Sequence, residues 1–140
     1  MIDMNKTTNY NDFKKAVESV PQYYQRQLGV RFIKHVMDLV KDQRVGIALE
    51  VAKRPQANAE VLKSAYHSVQ KVIIGTFTHC VHKINMMATA EHYVALAALV
   101  CVQPTSKFQP EEYPACKVAL LCRHARSFEA LASRMGNLSL

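Results

Sequence analysis

The sequence predicts an all-α, single-domain fold, a bundle of five or six helices in which orthogonal packing is one arrangement. Its length of 140 residues is the usual size of one domain. With only four Gly and five Pro, the chain has little material for long loops. Apolar residues also recur at helical spacing from Leu62 to Ile84, over roughly six turns. One helical domain is therefore expected over residues 1–140, with a polar, flexible stretch at residues 1–9.

The N-terminal segment predicts two helices in succession. Asn11 or Asp12 is suited to cap a short first helix. The stretch Ser19–Gln22 fits a capping box, so a second helix is expected to start there. Gly29 lies inside that second helix and is expected to weaken it by about 1 kcal/mol relative to Ala.

Two features of the middle of the chain leave alternatives open. The polar cluster Lys41–Arg44 is compatible with one long helix to about Lys53 or with a bend near residues 42–44. Asn58 is expected to cap the next helix. Within that helix, residues 71–78 are rich in β-branched and aromatic side chains and also suit a buried strand. Helix is the preferred interpretation, because the 3.6-residue pattern continues through the segment and no second convincing strand is present to pair with it.

The last third of the chain predicts two further helices. Thr89 is a candidate cap for a helix over Ala90–Val102, which is apolar on nearly every side and is therefore expected to be central. Gln103–Glu112 is expected to be a loop. Pro114 can open the final helix, and Gly136–Asn137 supplies a stop signal.

The overall composition favours a cytoplasmic protein with no membrane contact. The N-terminus lacks the apolar core of a signal peptide, and the longest apolar run, Tyr93–Val102, is about half the ~20 residues that span a bilayer. The cysteines are therefore expected to be reduced thiols. The 18 Lys and Arg against 11 Asp and Glu give a net charge of +7, which biases the chain toward anionic partners.

Histidine and cysteine placement argues against a metal site or a catalytic site. His79 and His82 lie one turn apart, but a structural zinc site needs four converging ligands. His92 and His124 are weaker metal candidates, because a single histidine on an apolar face is more often a hydrogen-bonded core residue. Cys101 lies in apolar surroundings that raise a thiol pKa. No catalytic residue and no cofactor is predicted.

Basic residues form a more ordered pattern on two helices. Arg123, Arg126 and Arg134 fall on one side of the last helix, opposite its apolar side, and Glu129 is expected to lie off that stripe. Lys34 and Lys41 share an outer face of the early helix. These five residues are predicted to contact an anionic partner, against the simpler alternative of a solvated helix face.

Surplus apolar residues suggest a second surface. Ile33, Met37 and Val40 lie off the main apolar line of their helix, which indicates either a central helix or a surface for self-association or a partner. The leading hypothesis is therefore a non-enzymatic binding or adaptor protein that uses protein–protein contacts, including those of a homodimer. Nucleic-acid binding through the basic residues is the second hypothesis, and a metal-dependent enzyme or sensor is the third.

Overall fold

A computed structural model of the chain describes residues 10–54, 57–82, 86–103 and 113–138. Within these residues, six α-helices pack against one another in one domain, so the all-α prediction is confirmed. Helices α1 and α2 span Tyr10–Glu18 and Gln22–Lys34, and α3 spans Gln43–Ala52 after a short 3-10 turn at Met37–Leu39. Helices α4, α5 and α6 span Ala59–His82, Met86–Val102 and Pro114–Leu138.

Helix α5 is the centre of the fold, as its composition predicts. It packs against α2, α3, α4 and α6. Small side chains such as Ala90, Ala97 and Ala98 are fully buried, which lets the surrounding helices approach closely. The helix begins at Met86, so Thr89 does not cap it. Met and Ala are strong helix formers, and they extend the helix by about one turn before Thr89.

The interpretation of residues 71–78 as helix is also confirmed, because the segment lies inside the uninterrupted helix α4. Asn58 caps this helix as predicted: its side-chain Oδ1 accepts a hydrogen bond from the backbone N–H of Val61 at 2.8 Å. Within the described helices, including α4 with its length of 24 residues, none combines the length and the hydrophobicity needed to cross a lipid bilayer.

The chain bends between α2 and α3, earlier than residues 42–44. Helix α2 ends at Lys34, and the following turn buries Val36 and Leu39. Asp42 then caps α3 by accepting a hydrogen bond from the backbone N–H of Arg44 at 2.9 Å. The carboxylate of Glu91 on α5 accepts from the backbone N–H groups of Lys41 and Asp42 at 2.6 and 3.2 Å. These bonds fasten the connection to the central helix.

Other predicted helix ends are wrong in detail. Helix α1 already includes Asn11 and Asp12, because it begins at Tyr10. Pro21 precedes α2 without a side-chain cap, and the Ser19 hydroxyl instead donates to the carbonyl of Ala16 at 2.6 Å. Pro114 begins α6 as predicted, but α6 continues through Gly136–Asn137 to Leu138. Residues 1–9 and 104–112 lie outside the described residues.

Candidate protein-binding surface

A continuous row of aromatic rings crosses three helices on one side of the domain. Phe77 of α4 lies 6.2 Å from His92 of α5, and His92 lies 6.1 Å from Tyr93 between ring centroids. Tyr93 contacts two rings of α6: His124 at 5.5 Å, and Phe128 at 5.3 Å with planes only 13° apart. We call these five residues the aromatic strip. Such ring separations are typical of attractive aromatic pairs.

The aromatic strip is only partly covered by the fold. Helices α4 and α6 each pack on α5, and the side of α5 that carries His92 and Tyr93 is only half-buried. Phe77 is 57% exposed and Ile74, one turn earlier on α4, is 67% exposed. On α6, Leu120 and Leu131 are 42% and 40% exposed. Contiguous exposed apolar residues of this kind mark interaction surfaces.

Positive charge borders the aromatic strip on α6. Arg123 and Arg134 are exposed, and helical geometry puts them within about 40–80° of Leu120 and Leu131 around the helix axis. This border contains two of the three arginines predicted to contact an anionic partner. The surface therefore combines apolar and aromatic groups with a basic edge.

Arg126, the third arginine of the predicted stripe, is engaged within the protein. Its guanidinium donates to the Asp38 carboxylate at 2.6 and 3.0 Å and to Glu129 at 2.9 Å. It also donates to the backbone carbonyl of His35 at 2.6 Å. The hydrogen bond from Arg126 lowers the pKa of Asp38. Glu129, which was predicted to lie off the stripe, is thus an ion-pair partner of Arg126. Arg126 is therefore less available to an external anion than Arg123.

The structure leaves the two predicted lysines on the surface but packs the predicted apolar surface against the core. The prediction that Lys34 and Lys41 share one helix face is wrong, because Lys34 ends α2 and Lys41 lies in the connection before α3. Both lysines are exposed, as an anion-binding role requires. Ile33 is 0% exposed and belongs to the core, so it does not contribute to any surface of this fold. Met37 and Val40 are partly buried and pack against the same core. The surplus of apolar residues in this segment is used inside the domain.

The histidines named as weak metal candidates do not form a common site among the described residues. His92 Nδ1 lies 2.8 Å from the hydroxyl oxygen of Thr76, and burial lowers the pKa of this histidine. His124 is exposed and tilts against Tyr93. The side chains of His79 and His82 lie outside the described residues. Among the side chains that are described, no three His, Cys, Asp or Glu residues come together in a group that suits a metal ion.

The described cysteines lack the features of reactive thiols. Burial raises the pKa of Cys101 to about 12, and it raises the pKa of Cys122 to about 12 as well. The half-buried Cys116 also has a raised pKa, again through burial. Because the thiolate is the nucleophile, the raised pKa disfavours the reactive form of each of these thiols. The prediction for Cys101 from its apolar surroundings is confirmed.

Sequence reasoning missed the aromatic strip, although part of the signal was present. Relative to Leu62 on the buried face of α4, Phe77 falls about 60° and Ile74 about 120° around the helix axis. Both are therefore apolar residues turned away from the centre of the buried face. The partners of Phe77 on α5 and α6 depend on how three helices pack, which the angular position does not reveal.

The chain matches no protein-family model, no curated protein and no solved structure.

Proposed function

We propose that this chain is a cytoplasmic, non-enzymatic binding protein that docks an amphipathic helix of a partner protein on the aromatic strip. The observation that carries the proposal is the continuity of exposed apolar and aromatic side chains across α4, α5 and α6. An amphipathic helix lays its apolar face into such a surface through side chains spaced three and four residues apart. Aromatic groups are also enriched where interfaces gain most of their energy.

Charge favours an acidic partner over a second copy of this chain. The chain carries a net charge of +7, and the strip is bordered by Arg123 and Arg134. Two copies meeting face to face would bring these like charges together at the interface, which is unfavourable. A helix whose apolar face is flanked by Asp and Glu would satisfy both the strip and its basic border.

Site-specific photo-crosslinking tests this proposal. A photoreactive phenylalanine analogue replaces Ile74 or Leu131 in cells of the source organism, and the cross-linked partner segment is identified by mass spectrometry. Tyr24, which is 54% exposed on α2, is the control position. We expect cross-links from Ile74 and Leu131 to one acidic amphipathic segment, with none to that segment from Tyr24.

A synthetic peptide of that segment then gives a quantitative test by fluorescence anisotropy. Ile74→Glu with Leu131→Glu should weaken binding at least about tenfold, since it puts charge at the centre of an apolar contact. Arg123→Gln with Arg134→Gln should weaken binding less and reduce its salt dependence. Unchanged affinity in the first double variant, or cross-links only between copies of this chain, would overturn the proposal.

Nucleic-acid binding is the second candidate, favoured by four exposed cations: Lys34, Lys41, Arg123 and Arg134. If it is correct, the purified protein retains an oligonucleotide at low salt and releases it at moderate salt. Arg123→Glu with Arg134→Glu should abolish this retention. Arg126 is left unchanged, because its substitution would break the internal bonds to Asp38 and Glu129. Salt-insensitive binding, or none, removes this candidate.

A further inference from the structure

A cleft with a volume of about 620 Å³ lies beside α4, and it is separate from the aromatic strip. Residues 63, 67 and 71 follow one another at intervals of four, which puts their side chains along one side of the helix. The polar groups lining the cleft are Arg44, Glu60, Lys63, Ser64, His67, Ser68 and Lys71. Consecutive turns of α4 thus place two ammonium groups, two hydroxyls, an imidazole and one carboxylate along the cleft.

These groups suit the recognition of phosphate. Lys63 and Lys71 are exposed, and their flexible stems allow both ammonium groups to turn toward an anion between them. Ser64 and Ser68 supply hydroxyl donors between the two lysines. Arg44 is held in place by Asp42, whose carboxylate accepts from the guanidinium at 2.7 and 3.0 Å. Its charge is partly balanced, so the lysines provide most of the attraction.

A carboxylate at one end of the cleft limits the length of the anion. Glu60 lines the cleft near the start of α4. At the other end, the neighbouring hollow is lined by two carboxylates and two cations: Asp42, Glu91, Lys41 and Arg44. A nucleic acid running along the cleft would bring its phosphates close to Glu60 and would gain no net attraction from the charge-balanced hollow. A small anion held between Lys63 and Lys71 avoids this repulsion.

An apolar hollow adjoins the basic part of the cleft. It has a volume of about 380 Å³ and shares Arg44, Glu60, Ser64 and Ser68 with the cleft. Ile47 and Val51 line it from α3, and Ile47 is 64% exposed. A ligand whose charged group lies among the lysines can therefore place an apolar group against α3.

We propose that the cleft between α3 and α4 binds a phosphate monoester that carries an apolar substituent. The phosphate lies between Lys63 and Lys71, with Ser64 and His67 as hydrogen-bonding partners. The substituent packs against Ile47 and Val51. The same chemistry is presented by a soluble phosphorylated molecule and by the headgroup region of a phosphatidic-acid membrane, and the experiment separates these two sources.

Isothermal titration calorimetry with inorganic phosphate and phenyl phosphate tests both halves of the site. Phenyl phosphate should bind several-fold more tightly than inorganic phosphate, because only its ring reaches the apolar hollow. Lys63→Gln with Lys71→Gln should weaken both ligands by at least about tenfold. Ile47→Ser should weaken phenyl phosphate alone. Lys34→Gln with Lys117→Gln removes the same charge from exposed positions elsewhere and should change either affinity by less than about twofold.

Sedimentation with vesicles identifies the source of the phosphate. If the ligand is a lipid headgroup, the protein should sediment with phosphatidic-acid vesicles but not with phosphatidylcholine vesicles. The Lys63→Gln, Lys71→Gln variant should then no longer sediment with either. Binding of phenyl phosphate without sedimentation assigns a soluble ligand. If the Lys63/Lys71 and Lys34/Lys117 variants lost affinity for phosphate equally, the effect would come from net charge in general, and the proposal would be overturned. The proposal would also be overturned if the protein bound a single-stranded oligonucleotide but neither phosphate ligand, or if it bound none of these probes.

Discussion

Gln25 is a buried polar residue of α2 whose side chain forms hydrogen bonds to groups near the end of α1 and the start of α6. It is 1% exposed, and its side-chain amide nitrogen donates to the carbonyls of Val17 at 2.8 Å and Val20 at 3.0 Å. Its oxygen accepts from the backbone N–H of Ala115 at 3.2 Å. That N–H lies in the first turn of α6, where it has no partner within its own helix. One side chain therefore satisfies groups from the end of α1 and the start of α6.

Gln25→Ala should lower the free energy of unfolding by about 2–4 kcal/mol. The change removes three hydrogen bonds, leaves buried backbone groups unsatisfied and opens a cavity. Urea denaturation followed by circular dichroism measures the effect. Gln43→Ala, at an exposed position in α3, is the matched control and should change the free energy of unfolding by less than about 0.5 kcal/mol. A similar effect in both variants would contradict this role of Gln25.

His92 should make stability depend on pH below neutrality. Burial lowers its pKa from the ordinary value of 6.5, so the unfolded chain takes up a proton at a higher pH than the native state does. Stability should therefore fall as the pH decreases from about 6.5 toward the lowered pKa of the native state. Thermal unfolding between about pH 7 and pH 5 measures this dependence. This pH range lies above the one in which Asp38 and Asp42 titrate, because the pKa of each carboxyl is lowered.

His92→Gln should flatten this dependence, because the substituted side chain does not titrate. His67→Gln, at an exposed position on α4, is the matched control for removing a histidine. A pH dependence that is the same in wild type and His92→Gln would show that other groups cause it. The sequence placed His92 on an apolar face, but the contact with Thr76 required the packing of α4 on α5.

At the scale of single helices, Gly29 shows where propensity alone gives the wrong sign. Helix propensity predicts that Ala at this position would stabilise α2 by about 1 kcal/mol. In the structure, a Cβ atom at Gly29 would lie 3.0 Å from the sulfur of Cys101 and 3.3 Å from a methyl of Val118. Both neighbours are buried in α5 and α6 and have little room to move. Gly29 thus permits the close approach of three helices.

Gly29→Ala should lower the free energy of unfolding by about 1–2 kcal/mol, since the cost of overpacking exceeds the gain in helix propensity. Gly75→Ala is the matched variant, because nothing lies within 4 Å of a Cβ atom built there. It should raise the free energy of unfolding by about 0.5–1 kcal/mol. Urea denaturation of both variants checks the opposite signs. Stabilisation by Gly29→Ala would mean that the interior yields at this contact.

Helices were more predictable than their ends. The periodicity of α4, α5 and α6 is a local property of the chain, so their existence followed from sequence. The end of α2 at Lys34 did not follow from the sequence, because the connection after α2 is held by a hydrogen bond to Glu91 on α5. The start of α5 at Met86 lies three residues before the expected cap at Thr89. Ends are decided by a few hydrogen bonds, some of which come from remote residues.

For the whole molecule, the exposed end of the aromatic strip on α4, Phe77 with its neighbour Ile74, should contribute little to folding. Ile74→Gln with Phe77→Gln replaces two residues that are more than half exposed. The free energy of unfolding should therefore change by less than about 1 kcal/mol, whereas binding of an apolar dye to the native surface should decrease. Val94→Ala, at a fully buried position of α5, is the contrasting control. It should lower the free energy of unfolding by more than the double glutamine variant does. A large loss of stability in the double glutamine variant would mean that the strip serves folding.

The sequence by itself determined the all-α class, the central place of α5 and the buried faces of the long helices. These follow from composition and from a period that depends only on neighbouring residues. Only the tertiary structure decided which outward side chains meet. Arg126 pairs with Asp38, 88 residues away, and the rings of the aromatic strip come from three helices. The physical reason is that helix packing sets these contacts, and packing is a property of the whole chain.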